Sequence, residues 1–272
     1  MSHSINKDTR LCISLAGRPT NIGTRFHNFL YQELGLDFVY KAFTSSDLAA
    51  AIAGIRGLGI RGCGVSMPYK EACIPYLDDL DHSASALASV NTIVNDEGHL
   101  RGYNTDFIAI AELLRRHHFS PEWPFVLRGS GGMAKAVAGA LSDAGFRSGI
   151  VLARNEVSGR ELADRYSYQW VGDLGDARPE LLINATPIGM SGGPEADALA
   201  FDPVVIGRAG AVIDVVAFPE ETPLVRHART QAKPVITGAE VIALQAAEQF
   251  ALYTGIRPSE EQVLRASEFA RR

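Results

Sequence analysis

An excess of basic residues, a long apolar run and a paired set of cysteines are all missing from this chain, and each absence removes a class of function. Lys and Arg number 26 against 31 Asp and Glu, giving a formal charge of −5 and a pI near 5.8. A phosphate-backbone partner needs a concentrated basic face. The basic residues here are scattered, so no nucleic-acid partner is expected. No apolar stretch reaches about 18 residues, and Met1-Ser2-His3-Ser4-Ile5-Asn6-Lys7-Asp8 lacks the apolar centre of a secretory signal. A cytoplasmic protein that neither spans a membrane nor is exported is expected. The three cysteines, Cys12, Cys63 and Cys73, are an odd number, without C-x-x-C or a Cys/His cluster of metal-ligand spacing. They read as reduced thiols, and no metal is expected.

What is present is a globular composition, 46% hydrophobic and 21% charged over 272 residues, enough for one large or two ordinary domains. Leu11–Leu15 predicts a strand stopped by Gly17 and Pro19. Residues 24–35 carry Phe26, Phe29, Leu30 and Leu34 at helical spacing, and Phe38–Phe43 predicts the next strand. A helix over 47–55, capped by Ser45, Ser46 or Asp47, precedes a strand over 62–67. This alternation predicts a parallel α/β sheet. A second unit opens near Tyr103 with a helix over 107–114. Strands follow over 125–127, 149–153, 181–185, 211–216 and 234–236, with helices over 133–141 and 158–166. The last helices, over 241–253 and 259–272, are expected to return to the first domain, with the second hinge near Gly238.

Val126-Leu127-Arg128-Gly129-Ser130-Gly131-Gly132-Met133-Ala134 places G-x-G-x-x-A directly after a predicted strand and at the opening of a predicted helix. That context is a dinucleotide fingerprint. Gly129 permits the tight turn, Gly131 lets the backbone approach a pyrophosphate, and Ala134 allows close helix packing. The anion would rest on the helix N-terminus. A carboxylate at the end of the second strand selects NAD, whereas an arginine there pairs with the 2′-phosphate of NADP. The strand ends Val151-Leu152-Ala153-Arg154-Asn155, so Arg154 favours NADP and Arg160 is a second candidate contact. Glu156 is the competing feature, favouring NAD if it faces the ribose. Asn184-Ala185-Thr186-Pro187-Ile188-Gly189 ends a third strand in small polar residues, and Thr186 is a candidate contact to the adenosine side. The expected organisation is therefore α/β with two domains: an N-terminal α/β substrate domain, 1–103 with 239–272, and a Rossmann-type NADP-binding domain, 104–238.

Lys70, Asn91 and Asp106 each sit in a short polar interruption of an apolar pattern. A lysine, an amide and a carboxylate on consecutive elements suit one polyhydroxylated small molecule, with the lysine and aspartate available to move a proton. Together with the glycine loop, several ordered stretches resemble the shikimate dehydrogenase family over essentially the whole chain. They are Gly64-Val65-Ser66-Met67-Pro68-Tyr69-Lys70, Ala88-Ser89-Val90-Asn91-Thr92-Ile93, Gly102-Tyr103-Asn104-Thr105-Asp106, Gly129–Ala134, Ala153-Arg154-Asn155, Asn184-Ala185-Thr186, Ile213-Asp214-Val215-Val216 and Gln245-Ala246-Ala247. The resemblance implies a small polyhydroxy carboxylic acid substrate and NADP-dependent interconversion of shikimate and 3-dehydroshikimate, with Lys70 as the proton-transfer group and Asp106 as its orienting partner. It implies Asn91 and Gln245 as substrate contacts, with Ser66 where the family usually has threonine. Gly129, Ser130, Gly131, Gly132, Met133, Ala134, Arg154, Asn155, Thr186, Val215 and Gly238 then fall to the cofactor.

Three positions depart from the family pattern. Asn21 and Gly23 stand where a serine pair is usual, Ala217 where a tyrosine is common, and Glu240 where glycine is usual. The pattern looks nearest the shikimate dehydrogenase-like subgroup. Asn21 is a candidate replacement for one serine and Arg18 a candidate carboxylate ligand. Quinate or aminoshikimate dehydrogenase activity, or a non-catalytic NADP-binding sensor, are the alternatives. Gln245 and Gln249 lie one helical turn apart, so one helix face can point two amides into the cleft, though a polar face toward solvent is the expectation for Gln249. His27, His117 and His118 read as structural or exposed.

Overall fold

The computed structural model describes residues 5–272, which form two compact units. Residues up to Thr105 with Ala243–Arg272 form the first, and Asp106–Ile242 the second. The chain opens with β1 (Arg10–Leu15), α1 (Asn21–Glu33), β2 (Phe38–Phe43), α2 (Leu48–Gly57), β3 (Gly62–Val65) and α3 (Tyr69–Ala72). A 3₁₀ turn at Ile74–Tyr76 leads to β4 (Asp79–Leu80), α4 (His82–Ser85), β5 (Thr92–Asp96), β6 (His99–Tyr103) and α5 (Thr105–His117). The sheet order is β2-β1-β3-β5-β6-β4. β1, β2 and β3 are parallel, as the alternation predicts, but β5 runs antiparallel to both β3 and β6. The expectation of a wholly parallel first sheet is corrected by a hairpin. Asp96 pairs with His99, and the two residues between them, Glu97 and Gly98, both have positive φ, 52° and 92°. Such a two-residue turn matches the twist of antiparallel strands.

The second unit carries β7 (Phe125–Arg128), α6 (Gly132–Asp143), β8 (Gly149–Leu152), α7 (Glu156–Arg165), β9 (Gln169–Val171) and β10 (Leu181–Asn184). It continues with α8 (Pro203–Arg208), β11 (Ala211–Asp214), α9 (Pro223–Thr230) and β12 (Val235–Thr237). All six strands are parallel in the order β12-β11-β10-β7-β8-β9. The chain winds outward one way from β7 and then the other way from β10, so the switch point lies between these two strands. β9, α8 and α9 are absent from the sequence reading. The two helices carry a start signal, Asp202-Pro203 and Thr222-Pro223, in which each capping side chain accepts an N–H and proline takes the first helical position. α10 (Gly238–Thr254) and α11 (Glu260–Arg271) close the chain. No helix among the described residues is long and apolar enough to cross a membrane.

Strand alternation divides the first core into two faces. Ile13, Leu15, Cys63 and Val65 pack with Ile52 and Ile55 of α2, whereas Cys12, Tyr40 and Val94 pack with Phe26, Leu30 and Tyr31 of α1, Phe250 and Tyr253 of α10 and Ala266 and Ala270 of α11. The last two helices thus return to the first unit, and Phe29 of α1 meets Phe269 of α11 with ring centroids 5.3 Å apart. The three thiols are free and buried, and burial pushes Cys12 up to about 11 and Cys73 to about 12. His27 is fully buried against Tyr40, the rings stacked at 4.4 Å, and burial depresses its imidazole to about 3.

β3 turns glycine rather than a side chain toward α10. A Cβ on Gly62 would lie 2.2 Å from the Tyr253 ring, and one on Gly64 would lie 2.8 Å from Tyr40 Oη. We expect Gly62→Ala to cost about 1–3 kcal/mol through overpacking. Gly54→Ala, within α2 and with open space around the added methyl, should instead stabilise by roughly 0.5–1 kcal/mol. Denaturant midpoints of the two variants check this, and equal effects would contradict the packing account.

Candidate active site

At the carboxyl ends of β1 and β3, whose residues Leu15 and Val65 are in register, the following loops are clipped together by Gly17 N–H donating to Met67 O at 2.9 Å. Ser66 is exposed there, its N–H donating to Leu15 O. Asn21 is exposed in the first turn of α1, whose N-cap Thr20 supplies no side-chain bond. Lys70 lies half-buried in α3, and its carbonyl accepts from Val90 N at 2.8 Å, which seats the lysine's backbone one residue from Asn91. The Asn91 main chain is locked on both sides, Val65 N donating to its carbonyl at 2.7 Å and its own N–H donating to Tyr103 O at 3.0 Å. The structure thereby brings the Ser66–Lys70, Asn91 and Tyr103–Thr105 segments together.

The Asn91 side chain is buried, and its Oδ1 accepts from Thr105 N (2.8 Å), Thr92 Oγ1 (2.9 Å) and Thr105 Oγ1 (3.1 Å). Thr105 Oγ1 also reaches Gln245 Oε1 at 3.2 Å. With Oδ1 committed to donors, the amide's other end, Nδ2, is the end left for a ligand. Asp106 follows Thr105 directly, buried in the first turn of α5. Thr92 and Thr105 were not among the sequence candidates, and Gln249 was expected to face solvent. Gln249 is buried rather than solvent-facing, because Gly64 leaves room beneath it, and its Nε2 donates to Thr92 Oγ1 at 2.9 Å.

In the second unit, Gly129, Ser130, Gly131, Arg154, Asn155 and Thr186 line a cavity of about 280 Å³ at the switch point. Gly129 adopts φ +119°, and a Cβ there would lie 2.7 Å from the Ala185 carbonyl oxygen, so only glycine carries the chain past the end of β10. Gly131 is the N-cap of α6 without a side-chain cap, and Gly131 and Gly132 open onto free space. Met133 and the fully buried Ala134 continue the helix. Arg154 is exposed, 3.8 Å from Glu195, while Glu156 is paired with Arg160 at 2.8 Å and Arg160 lies over the Trp170 ring. Asn155 caps α7, accepting from Ser158 N, and Ser158 Oγ lies 2.8 Å from Ser130 Oγ. Arg128 also lines the cavity, donates to Ala200 O and lies within the field of Arg154. Its signal in the sequence was its place as the last strand residue before the glycine loop. Uncapped helix N–H groups, a cradle that admits only glycine and two guanidinium groups fit the pyrophosphate and 2′-phosphate of a dinucleotide.

Beyond β10 and β11 the polar residues serve one another. Asn184 Nδ2 donates to Asp214 Oδ1 (3.0 Å) and Ile188 O (3.1 Å), while its Oδ1 accepts from Thr186 N and Oγ1. Asp214 also accepts from Thr222 Oγ1 (2.6 Å) and Val216 N (3.1 Å). Val215 follows at the strand end, and a Cβ on Gly238 would lie 2.3 Å from Val216 O, so glycine is required where α10 begins. Glu240, at a position where the resembling family has glycine, accepts from Thr237 N (2.7 Å) and Thr237 Oγ1 (2.9 Å) while Thr237 Oγ1 accepts from Glu240 N. This is a reciprocal cap on α10. No cluster of three or more metal-ligating side chains occurs among the described residues.

A six-stranded parallel sheet with a glycine loop at its switch point defines a dinucleotide-binding protein of the Rossmann class, here joined to a mixed α/β unit. A family model described as the shikimate dehydrogenase substrate binding domain matches residues 22–93. Over 267 residues, 98% of this chain and 98% of the relative, the chain is 53% identical to a shikimate dehydrogenase-like protein of Haemophilus influenzae. It is 36% identical over 260 residues to the NADP(+) shikimate dehydrogenase of Moorella thermoacetica, covering 89% of this chain and 88% of that one. The shikimate 5-dehydrogenase of Thermus thermophilus, solved with NADP(H) and shikimate, superposes with a TM-score of 0.83 at 30% identity, over 96% of this chain and 99% of that one. The chain belongs to the shikimate dehydrogenase family.

Burial raises the Asp214 carboxyl from 3.8 to about 6, against the opposing hydrogen bonds from Thr222, Val216 and Asn184. The folded state therefore favours the protonated acid. Its contribution is fully present below about pH 4 and is lost as pH rises through 6, a swing of roughly 3 kcal/mol. We expect Asp214→Asn to gain stability relative to the wild type between pH 4 and 7. Denaturation at pH 4, 5, 6 and 7 checks the difference, and a constant offset would contradict the assigned shift.

Proposed function

We propose that this protein is a cytoplasmic, NADP-dependent oxidoreductase that interconverts shikimate and 3-dehydroshikimate. The observation that carries the reading is the Asn91 amide, held by three donors to its oxygen so that Nδ2 serves as a donor to a substrate hydroxyl, on a backbone seated against Lys70. Bound NADP+ supplies the hydride acceptor. Lys70 takes the proton of the hydroxyl at the carbon being oxidised, and Asp106 orients that lysine and accepts from a neighbouring hydroxyl. Gln245, Ser66 and Asn21 bind the remaining polar groups of the acid. Exposed Asn21, at the uncapped start of α1, suits its carboxylate in place of the family's serines.

NADP is favoured over NAD because the end of β8 offers an exposed arginine and no free carboxylate. Arg154 pairs with the 2′-phosphate, while Glu156, the feature that would favour NAD, is engaged by Arg160. The α6 N-terminus, with Gly129, Ser130, Gly131 and Gly132, would receive the pyrophosphate and Thr186 the adenosine side, with Asn155, Val215 and Gly238 completing the residues that would hold the cofactor.

Purified protein assayed with NADP+ or NAD+ against shikimate, quinate and aminoshikimate, following reduced cofactor by absorbance, tests this. We expect shikimate with NADP+ to be the best pair. Lys70→Ala should lower kcat by about 100-fold or more with a smaller change in KM, and Arg154→Ala should weaken NADP+ about tenfold while leaving NAD+ unchanged. NADP+ binding without turnover of any acid would make the chain a cofactor sensor, and faster quinate or aminoshikimate turnover would reassign the substrate.

A further inference from the structure

Gln249 is a buried amide with no place in the proposed chemistry, yet it is joined to the Asn91 side chain through a single hydroxyl. Position 64 opposite it is glycine, and a Cβ there would lie 3.6 Å from Gln249 Nε2. Gly64 pairs with Thr92 across β3 and β5. The glutamine therefore lies flat on the sheet over a residue without a side chain and reaches the next strand. Its Nε2 donates to Thr92 Oγ1 at 2.9 Å and to Asn91 O at 3.3 Å.

The direction of these bonds is fixed by proton count. A glutamine Nε2 only donates, so Thr92 Oγ1 accepts from it and has one proton to give. Of its two acceptors, Asn91 Oδ1 at 2.9 Å is closer than Thr105 Oγ1 at 3.4 Å and takes that proton. The neighbouring Thr105 hydroxyl divides its single proton between Asn91 Oδ1 (3.1 Å) and Gln245 Oε1 (3.2 Å). The Thr92 hydroxyl, polarised by Gln249, is thus the nearer side-chain donor to the Asn91 oxygen, and it seconds the main-chain N–H of Thr105 at 2.8 Å.

We infer that Gln249 is a positioning residue: by forcing the Thr92 hydroxyl to donate to Asn91, it holds that amide with Nδ2 presented to a hydroxyl of the polyhydroxy acid. The inference rests on the proposed function for the identity of the ligand, but not for the order of the amide. Replacing Gln249 by glutamate keeps the shape and removes the donor. Thr92 then turns its proton toward the new carboxyl, and Asn91 Oδ1 loses it. Gln249→Met removes the polar group at similar volume.

Two readouts separate this inference from the function itself. The first is the Asn91 side-chain amide in ¹⁵N NMR spectra of the protein without substrate, assigned by its disappearance in Asn91→Asp. We expect Gln249→Glu, Gln249→Met and Thr92→Val each to shift and broaden the two Nδ2 proton signals, and unchanged signals would overturn the inference whatever the acid proves to be. The second is steady-state kinetics with shikimate and NADP+. We expect KM for the acid to rise about five- to tenfold, with kcat changed less and the Kd for NADP+ unaltered. The Gln249→Met and Thr92→Val effects should combine to less than their product, because both break one chain of bonds. Equal loss of acid and cofactor affinity, with a lowered Tm, would reduce Gln249 to a packing residue. Altered amide signals in a protein that turns over no acid would retain the positioning role and remove the proposed function.

Discussion

The oxygen of the Asn91 side chain is the point on which the first unit's polar architecture depends. It gathers donors from β5 and from the start of α5, while the Asn91 carbonyl accepts from β3 and from Gln249 of α10. An amide oxygen buried without donors costs free energy comparable to a lost hydrogen bond, so the meeting of β5 with the start of α5 is what makes the side chain tolerable in the interior. Once the oxygen is satisfied from within, the nitrogen is the remaining hydrogen-bonding end of the group. A requirement of burial thereby becomes a directional donor.

A second constraint makes the first possible. β3 offers Gly62 and Gly64 to α10, and the side chains that fill the vacated space are Tyr253 at the first and Tyr40 with Gln249 at the second. The approach places a fully buried aromatic set, with the neutral His27 among it, beneath the polar layer that carries Asn91. In the second unit the same logic recurs with backbone in place of side chain. Gly129 passes within contact of the Ala185 carbonyl, and Gly238 within contact of the Val216 carbonyl. The resulting strand ends lie close enough together for helix N–H groups, rather than long side chains, to meet an anion.

Much of this was legible in the sequence because it is written locally. A glycine pattern after an apolar run, an arginine at the next strand end and the loops bearing Lys70, Asn91 and Asp106 are all read within a few residues. The strand–helix alternation of the second unit followed from the same kind of signal. The antiparallel hairpin did not, since Thr92-Ile93-Val94-Asn95-Asp96 carries polar residues on a strand that is buried in the centre of a mixed sheet, and strand direction is set by long-range pairing. Gln249 escaped for a related reason. Whether that helical face meets solvent or core depends on Gly64, far away in the chain, and on Thr92 waiting beneath it. Glu240 shows the reverse case: Thr237-Gly238-Ala239-Glu240 is a capping signature visible in sequence, although family comparison marks Glu240 only as a departure from glycine.

The central claim is that a hydride passes between NADPH and the ketone carbon of 3-dehydroshikimate on this chain. Incubating the protein with 3-dehydroshikimate and NADPH deuterated at the transferring position of the nicotinamide, then weighing the product, tests it most directly. The account predicts shikimate one mass unit heavier, with the label on the carbon that carried the ketone. Unlabelled shikimate, or NADPH bound and left unoxidised with every acid offered, would contradict it.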